Sequence, residues 1–302
     1  MSAGRVLITG AGGFVGSAIA AGLIRLDWQV CALDVAFDAP TRTRLAGCDL
    51  LTADLSEPLP DLPRADVVIH AAALTTGPET LGISAAEHVR RNMLPLLVVL
   101  GVAARMSPRA FVFLSSTGVF APGDGDPELT DTSTPSASGP YATAKRAGEL
   151  LVPAALPAGT ACHVLRLGHI CGLSEAARPT RARVSPMAEM TAAACTDRLV
   201  RVSVTDPLRD WTAAEDLGPA MARLLSGPSA GRVLHFGSAY RMTDSAMAAR
   251  IAGRIPGVRI EMKPSLPAKA PMRPSTIPAL RDFAWTRPED VIDALCASRL
   301  AA

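Results

Sequence analysis

The sequence predicts an α/β fold in which a doubly wound parallel sheet is followed by a smaller C-terminal lobe. Apolar strands alternate with helical patterns up to about residue 168, and a glycine-rich turn joins the first strand to the first helix. Such alternation makes a parallel sheet covered by helices on both faces, with ligands at the carboxyl ends of its strands. A chain of 302 residues, 49% of them apolar, is long enough to bury this core.

The elements follow in order along the chain. Strands are predicted at 5–9, 29–34, 66–71, 110–115 and 162–168, with helices near 14–26, 85–106 and 140–156. Beyond residue 168 we predict a helix over 181–196, a strand over 199–204, a helix over 213–226 and a further strand of the main sheet over 232–236. Frequent prolines from Pro256 onward predict irregular loop for much of the tail. The main domain is predicted as 1–168 with 212–238 returning to it, and the lobe as 169–211 and 239–302.

The glycine turn spans residues 9–16, Thr-Gly-Ala-Gly-Gly-Phe-Val-Gly. Glycine lets the backbone turn sharply and approach a ligand, and the N–H groups at the start of the following helix then face an anion. This strand–turn–helix arrangement is typical of a Rossmann-type dinucleotide site. We therefore expect the cofactor pyrophosphate to be held by Gly10, Gly12, Gly13, Phe14, Val15 and Gly16.

A carboxylate ends the second predicted strand. Asp34 follows Gly16 by 18 residues. An acid at this point accepts hydrogen bonds from both ribose hydroxyls of adenosine and repels a 2′-phosphate. Arg42 and Arg44 in the next loop could in principle bind a 2′-phosphate, but Asp34 argues against it. The sequence therefore predicts NAD rather than NADP.

Candidate catalytic residues lie near the ends of later strands. The strand over 110–115 delivers Ser115 and Ser116 to the carboxyl edge of the sheet, and Tyr141 and Lys145 follow at i and i+4 of a predicted helix. A nearby buried cation favours phenolate, so we expect Lys145 to lower the pKa of Tyr141. Such a tyrosine can exchange a proton with a substrate oxygen while a hydride moves to or from nicotinamide, and Ser116 would orient that oxygen.

These motifs resemble those of the short-chain dehydrogenase/reductases, in the extended branch of NAD-dependent epimerases, dehydratases and dehydrogenases. The resemblance covers nearly the whole chain, and it also rests on Asp54-Leu55, His70-Ala71-Ala72-Ala73, Asn92, Arg209-Asp210-Trp211, Asp216 and the tail segment 283–288. It implies that Asp54 and Leu55 contact adenine, that Ala71, Ala72 and Ala73 line the middle of the cofactor, and that Lys145 also binds the nicotinamide ribose. It further implies that Asn92 supports a proton-relay water. Helices 85–106 and 140–156 would pair with those of a second subunit, which predicts a homodimer.

The sequence departs from this family where substrate would bind. Members that act on nucleotide sugars usually carry Arg-x-x-Asn-x-x-Gly-Pro, whereas here His169 replaces the Asn and Leu173 the Pro. Pro95 also replaces a small residue in the helix of Asn92, where it removes a backbone donor and is expected to kink the helix. Arg178, Arg181 and Arg183 either bind a ligand or form a solvated helix face. The residues assigned to substrate are Ser116, Thr117, His169 and Arg209.

Composition excludes several other classes. The formal net charge of +2 gives no electrostatic footprint for nucleic acid, and the longest apolar stretch, 94–104, is too short to span a bilayer. The first strand begins within about five residues, which leaves no room for a signal peptide. Six scattered cysteines without a C-x-x-C pair are typical of a reduced, cytoplasmic protein. The five histidines include no H-x-x-x-H pair, so their spacing does not indicate a metal site.

These observations predict an NAD-dependent oxidoreductase that acts on a secondary hydroxyl or ketone of a carbohydrate-like or small anionic substrate. The principal alternative is a nucleotide-sugar epimerase or dehydratase that retains NAD through each turnover. Arg209 favours that alternative, because arginine binds phosphate and carboxylate alike; His169 and Leu173 oppose it. A third alternative is a non-catalytic protein that senses NAD(H), although this chain keeps both Tyr141 and Lys145.

Overall fold

The computed structural model describes residues 4–228, 232–265 and 267–301. The strands are β1 (Arg5–Thr9), β2 (Gln29–Asp34), β3 (Asp49–Thr52), β4 (Val67–His70), β5 (Ala110–Ser116), β6 (Ala161–Leu167), β7 (His169–Cys171), β8 (Leu199–Ser203), β9 (Leu208–Ala213), β10 (Val233–Phe236), β11 (Arg241–Thr243) and β12 (Arg259–Lys263). The α-helices are α1 (Phe14–Ile24), α2 (Ala39–Arg44), α3 (Pro78–Leu81), α4 (Ala85–Met106), α5 (Pro140–Ala155), α6 (Pro186–Asp197), α7 (Ala214–Leu225), α8 (Asp244–Arg254) and α9 (Pro288–Leu300).

The main sheet has seven parallel strands in the order β10-β6-β5-β4-β1-β2-β3. Its central strands are apolar along their length because helices cover both faces; Val6, Leu7 and Ile8 of β1 have no exposed surface. The chain reverses its direction of travel across the sheet between β1 and β4, and the carboxyl ends of these strands form the edge where ligands bind in such folds. The predicted α/β fold is confirmed.

Helices α1 and α7 cross on one face of the sheet at two glycines. A Cβ atom on Gly22 would lie 2.7 Å from the Cα of Gly218, so only a hydrogen at both positions lets the backbones approach this closely. On the other face α4 packs beside α5. Helix α4 continues through Pro95 to Met106. No described helix, α4 included, is long and apolar enough to cross a bilayer.

The smaller lobe is built from a three-stranded sheet, β11-β9-β7, and a two-stranded sheet, β12-β8. Helices α6, α8 and α9 enclose its core, in which Trp211 of β9 has no exposed surface. The C-terminal tail is bound to α7, the helix that crosses α1 on the main sheet. There the Asp216 carboxylate accepts hydrogen bonds from the amide and hydroxyl of Thr286 at 2.7 and 2.9 Å. The assignment of exact domain limits stays a prediction.

Several predictions of local structure were wrong or incomplete, and the short elements α2, α3, β7, β9 and β11 and the helix α8 were not predicted. Strand β3 was not predicted, because it is a short edge strand with only two apolar residues. The helix predicted over 181–196 begins only at Pro186, where the Ser185 hydroxyl caps it by accepting a hydrogen bond from the Ala188 amide. The tail contains β12, a 3-10 turn at Pro278–Leu280 and α9, so among the described residues the irregular part lies within 264–265, 267–277 and 281–287.

Candidate active site and cofactor cleft

The glycine turn between β1 and α1 contains positions that cannot carry a side chain. Gly10 has a φ of +76°, and a Cβ atom on it would lie 2.4 Å from the amide nitrogen of Ala72. A Cβ on Gly16 would lie 2.1 Å from the carbonyl oxygen of Gly10. The turn therefore brings the start of α1 to the strand ends, where helix N–H groups and the helix dipole favour an anion. The predicted residues that line the adjoining cavity include Gly13, Phe14 and Val15.

Asp34 ends β2 beside this turn. Its Oδ2 accepts a hydrogen bond from the Gly12 amide at 2.8 Å, and its Oδ1 accepts one from the Val35 amide at 2.7 Å. Burial raises the pKa of Asp34, while these backbone hydrogen bonds act to lower it. Asp34 lines the same cavity as Asp54 and Leu55, the pair that the resemblance assigns to adenine.

The two arginines that could have selected NADP are used elsewhere. Arg42 donates from Nε to the carbonyl oxygen of Phe37 at 3.1 Å, and Arg44 donates from Nη1 to the Ser17 hydroxyl at 2.9 Å. Neither belongs to the described residues that line the Asp34 cavity. The adenosine end of the cleft therefore presents a carboxylate where NADP would need a cation.

Two adjoining cavities follow the carboxyl ends of the strands. The first, of about 480 Å³, is lined by the glycine turn and by the candidate catalytic residues, and we call it the catalytic cavity. The second, of about 580 Å³, contains Asp34 and is called the adenosine cavity. Their shared walls are Gly10, Gly13, Ala71, Ala73, Arg178 and Thr180, and Ala72 lines the adenosine cavity. Along the cleft, Asp34 comes first, then the glycine turn, then the candidate catalytic residues. This order matches the adenosine, pyrophosphate and nicotinamide parts of a dinucleotide.

Strand β5 and helix α5 bring Ser116, Tyr141 and Lys145 to the catalytic cavity. The Ser116 hydroxyl is hydrogen-bonded to Tyr141, and its Oγ accepts a hydrogen bond from the Gly118 amide at 2.9 Å. Lys145 Nζ donates to the carbonyl oxygen of Leu114 at 2.7 Å and lies 5.9 Å from the centre of the Tyr141 ring. The three side chains predicted to act together therefore lie together.

The prediction that Lys145 lowers the pKa of Tyr141 was wrong. Burial raises the pKa of Tyr141, and the opposing influences are the hydrogen bond with Ser116 and the positive charge of Arg181. Burial also lowers the pKa of Lys145 to about 8, against the nearby negative charge of Glu149. The cleft disfavours the charged form of each group because it removes both from water. Arg181 is thus the cation that favours phenolate.

A buried ion pair not found by sequence reasoning lies behind Lys145. Glu149 Oε1 accepts hydrogen bonds from the Ser115 hydroxyl at 2.6 Å and from Arg166 Nε at 2.7 Å, and its Oε2 accepts one from Arg166 Nη2 at 2.7 Å. Both charged side chains are less than a tenth exposed. Because these residues come from β5, β6 and α5, the pair fixes the helix that carries Tyr141. The available signal was the placement of Glu149 one turn after Lys145.

Asn92 fastens α4 to the loop that follows β4. Its Oδ1 accepts a hydrogen bond from the Leu74 amide at 3.0 Å, and its Nδ2 donates to the carbonyl oxygens of Leu74 and His88, both at 3.1 Å. It is not among the described residues that line either cavity. Its role in a proton relay stays a prediction.

Two of the predicted substrate residues are bound to each other and to a buried acid. Arg209 donates from Nε and Nη2 to the Asp244 carboxylate at 2.7 and 3.1 Å, and its Nη1 lies 3.3 Å from Nε2 of His169. The Asp244 side chain is only 4% exposed. This pairing already balances the charge of Arg209, and neither Arg209 nor His169 is among the described residues lining the catalytic cavity.

Thr117, another residue assigned to substrate, follows Ser116 in a turn that is hydrogen-bonded to a lysine of the C-terminal tail. The Thr117 carbonyl oxygen accepts a hydrogen bond from Lys269 Nζ at 2.8 Å. Burial lowers the pKa of Lys269, while Asp210 opposes this effect. No periodic pattern pointed to Lys269, which lies in a proline-rich segment.

The segment 173–185, here called the strap, connects β7 to α6 where a helix was predicted to begin. It contributes Arg178, Thr180, Arg181, Ala182 and Arg183 to the wall of the catalytic cavity. Three of these are the arginines whose role was left open by the sequence. The strap therefore brings positive charge from the lobe to the cleft.

Known proteins agree with this architecture. The model of the NAD dependent epimerase/dehydratase family matches residues 6–237, which include the glycine turn, Asp34, Ser116 and Tyr141. A dTDP-glucose 4,6-dehydratase of Streptomyces niveus is 31% identical over 165 residues, a match that covers 49% of this chain and 48% of the relative. The chain is therefore matched to about half the length of that relative.

Solved structures resemble the whole fold. The NAD-dependent NDP-hexosamine 5,6-dehydratase TunA superposes with a TM-score of 0.80 at 20% identity and covers 99% of this chain and 98% of its own. An ADP-L-glycero-D-manno-heptose-6-epimerase of Helicobacter pylori has a TM-score of 0.80 at 18% identity, over 99% and 97% of the two chains. A UDP-glucose 4-epimerase of Thermotoga maritima has a TM-score of 0.80 at 18% identity, over 98% of each.

The family model spans most of the chain, and the cleft that it covers has the order of groups that a dinucleotide requires. NAD, the cofactor in the name of that family, is the cofactor of this protein. The chain belongs to the NAD-dependent epimerase/dehydratase family of enzymes.

Proposed function

We propose that this enzyme transfers a hydride between NAD and a secondary hydroxyl or ketone of a carbohydrate-like or small anionic substrate. The observation that carries the proposal is the meeting of Ser116, Tyr141 and Lys145 in the same cavity as the glycine turn. A proton donor or acceptor, a second hydroxyl and a cation are what alcohol–ketone interconversion requires beside a nicotinamide.

Each side chain has a separate part in this proposal. NAD supplies the hydride acceptor when it is bound. Tyr141 exchanges the hydroxyl proton with the substrate oxygen, and Ser116, already hydrogen-bonded to Tyr141, positions that oxygen. Lys145 is held by the carbonyl oxygen of Leu114 and binds the ribose on the nicotinamide side. The Glu149–Arg166 pair keeps α5 in place beneath them.

The composition of the catalytic cavity argues against dehydration. Removing water from a sugar requires a group that takes a proton from carbon and another that protonates the leaving hydroxyl. Among the described residues that line the cavity there is no aspartate, glutamate or histidine. Hydride transfer coupled to one tyrosine proton needs none of these groups, and this supports oxidation or reduction at a single carbon.

The charge of the cavity supports an anionic substrate. Arg183 lines the cavity with its side chain 90% exposed, and the ion pair that it forms among the described residues, with Glu189, is a long 4.0 Å contact. Arg209, by contrast, is committed to Asp244. We therefore assign recognition of a substrate carboxylate or phosphate to Arg183 rather than to Arg209.

The decisive experiment offers the enzyme NAD with a panel of sugars, sugar acids and hydroxy acids. We expect NADH absorbance that is stoichiometric with oxidised substrate, and Arg183→Gln should raise KM for anionic substrates more than for neutral ones. Conversion of a UDP- or dTDP-sugar without net NADH would overturn this assignment in favour of the second candidate.

That second candidate is a nucleotide-sugar epimerase that retains NAD. The strap supports it, because its hydrogen bonds to both walls of the cleft favour a cofactor that stays bound over one that leaves in every turnover. The structural relatives named above include epimerases of nucleotide sugars. An epimerase returns the hydride to the same carbon, so it also needs no second acid in the cavity.

We further infer a homodimer built on α4 and α5. These helices pack side by side, and each presents an apolar side chain to solvent: Leu97 is 50% exposed and Leu150 is 79% exposed. Light scattering at micromolar concentration should give the mass of a dimer, and Leu150→Glu should shift it towards the monomer. A monomer mass for the unmodified protein would contradict this inference.

We also infer a cytoplasmic location. Burial raises the pKa of Cys31 and of Cys48 to about 11, so these thiols are protonated at neutral pH and act as core residues rather than as reactive groups. A melting temperature that is unchanged by reductant supports a reducing compartment, and a large loss on reduction would oppose it.

A further inference from the structure

The strap is fastened to the loop after β4, on one side of the cleft. The carbonyl oxygen of Thr180 accepts hydrogen bonds from the amides of Thr75 at 2.8 Å and Thr76 at 3.1 Å. The Thr76 hydroxyl donates to the carbonyl oxygen of Pro179 at 2.8 Å and accepts from the Ala182 amide at 2.8 Å. These contacts join positions about a hundred residues apart and form a short ladder along one wall.

The same strap reaches the opposite wall through one side chain. Arg178 Nη1 donates to the carbonyl oxygen of Gly12 in the glycine turn. Its Nη2 donates to the Asp38 carboxylate at 2.7 Å and to the Thr41 hydroxyl at 3.1 Å. The guanidinium therefore crosses the cleft between the two cavities, and the strap covers the point at which they meet.

Arg181 is aimed at the start of α1. Its guanidinium lies 5.2 Å from the centre of the Phe14 ring, and its Nη2 donates to the buried Glu175 carboxylate at 2.5 Å. Its Nη1 is buried and has no hydrogen-bond partner among the described residues. A buried donor without a partner is costly, so its presence beside a cavity indicates a ligand acceptor.

The positive charge along the catalytic cavity comes almost entirely from the strap. Of the described residues that line it, the cations are Lys145, Arg178, Arg181 and Arg183, and Lys145 is bound to β5 at the far end. The glycine turn offers N–H groups and a helix dipole to a pyrophosphate but no cationic side chain. The strap therefore places guanidinium groups across the cleft from these N–H groups.

We propose that the strap is the lid of the cofactor site, in which Arg181 binds the NAD pyrophosphate opposite the glycine turn and Arg178 latches the lid to Gly12 and Asp38. The cofactor is then enclosed between backbone amides of the main domain and a guanidinium of the lobe. NAD leaves only when the Arg178 contacts and the ladder to 75–76 open, so the latch sets the rate of exchange. The proposal rests on NAD as cofactor and not on any particular substrate.

The first test is equilibrium binding to the protein without substrate, using NAD, ADP-ribose and adenosine. Arg181→Gln should weaken NAD and ADP-ribose by about 10- to 100-fold, the range of a lost charge-assisted hydrogen bond, because both carry the pyrophosphate. Adenosine, which carries no phosphate, should bind unchanged. Arg183→Gln is the matched control, since it removes the same charge from the same strap at an exposed position, and it should leave all three affinities unchanged.

Two results would overturn the role of Arg181. Unchanged NAD affinity in Arg181→Gln would show that its charge serves another anion, such as a substrate. An equal loss for adenosine would show a general defect of the cleft rather than a lost phosphate contact.

The second test measures release. Bound NADH is displaced by excess NAD and followed by its fluorescence, with Arg178→Ala and Asp38→Asn as the variants. Asparagine caps a helix as well as aspartate does, so Asp38→Asn keeps the start of α2 and removes only the charge that pairs with Arg178. Release should be at least about 10-fold faster in both variants. A rate equal to that of the unmodified protein in both would refute the latch, whichever substrate the enzyme proves to use.

Discussion

The two walls of the cofactor cleft are made in different ways. The main-domain wall is backbone: a glycine at a φ of +76°, a helix start and a carboxylate held by two amides. The strap wall is side chains: three arginines from the lobe, one of them reaching Gly12 across 166 positions of sequence. The first wall is formed by residues close together in the sequence, and the second depends on contacts between the lobe and the main domain. In the proposal made above, NAD is recognised by backbone groups on one side and by arginine side chains on the other.

The rigid wall should tolerate no side chain at Gly10. Gly10→Ala places a methyl group 2.4 Å from the Ala72 amide and also forces a left-handed φ on alanine. We expect loss of NAD binding and a clearly lower melting temperature. Gly82→Ala is the control, because Gly82 has a φ of +64° with open space around it and should cost only about 1–2 kcal/mol from the backbone. Equal effects of the two changes on NAD affinity would show that the close approach to Ala72 is unimportant.

The two tyrosines of the chain lie in different regions, Tyr141 on α5 of the main domain and Tyr240 in the lobe before β11. Replacing each by phenylalanine therefore compares the effect on turnover of losing a tyrosine hydroxyl in the two regions. Tyr141→Phe should lower kcat by ~10²–10⁴-fold while NAD affinity stays the same, because only the acid/base oxygen is removed. Tyr240→Phe should leave kcat nearly unchanged. Turnover close to that of the unmodified enzyme in Tyr141→Phe would exclude the proposed mechanism.

Each region also contains a buried carboxylate paired with arginine. Glu149→Gln strands the charge of Arg166 behind Lys145, and we expect unfolding to become easier by about 3–5 kcal/mol. Glu175→Gln releases Arg181 and Ser185 in the strap, which should accelerate NADH release with a smaller loss of stability. Chemical denaturation and displacement kinetics on both variants give the comparison. If Glu175→Gln proved the more destabilising change, the strap would be part of the core rather than a lid.

The main-domain wall could be predicted from sequence because its signals are local. The glycine spacing, the apolar runs and the terminal acid of β2 all lie within 34 residues, and the resulting elements were placed to within about two residues. The position of the strap could not be predicted, because Arg178 and Arg181 are fixed by partners at Gly12, Asp38 and Phe14. The helix predicted over 181–196 likewise begins only at Pro186, so five of its predicted residues belong to the strap.

The pairing of Arg209 was hidden for the same reason. Its partner Asp244 lies 35 residues further along the chain, at the start of α8, which was not predicted. We expect Arg209→Gln to leave Asp244 unpaired and to destabilise the lobe by roughly 1–3 kcal/mol, with little change in KM for an anionic substrate. Arg241→Gln, which breaks an exposed ion pair with Glu128, should cost less. A selective rise in KM for anions in Arg209→Gln would return this arginine to the substrate site.

The smallest expected effect links the two walls through the pKa of Tyr141. Burial raises this pKa, while the Ser116 hydrogen bond and the charge of Arg181 lower it. Because a positive charge favours phenolate, Arg181→Gln should raise the pKa of Tyr141 further, so that less phenolate is present at any given pH.

The Tyr240→Phe background leaves Tyr141 as the one remaining tyrosine, and ultraviolet titration of tyrosinate then reports this residue without a substrate. Circular dichroism at each pH confirms that the protein stays folded over the titration. Arg183→Gln in the same background removes an equal charge that is not among the causes acting on Tyr141, and it should not move the midpoint. A midpoint that shifts equally in both variants would mean that Tyr141 responds to the overall charge of the strap, and the specific coupling between the lid and the catalytic tyrosine would be lost.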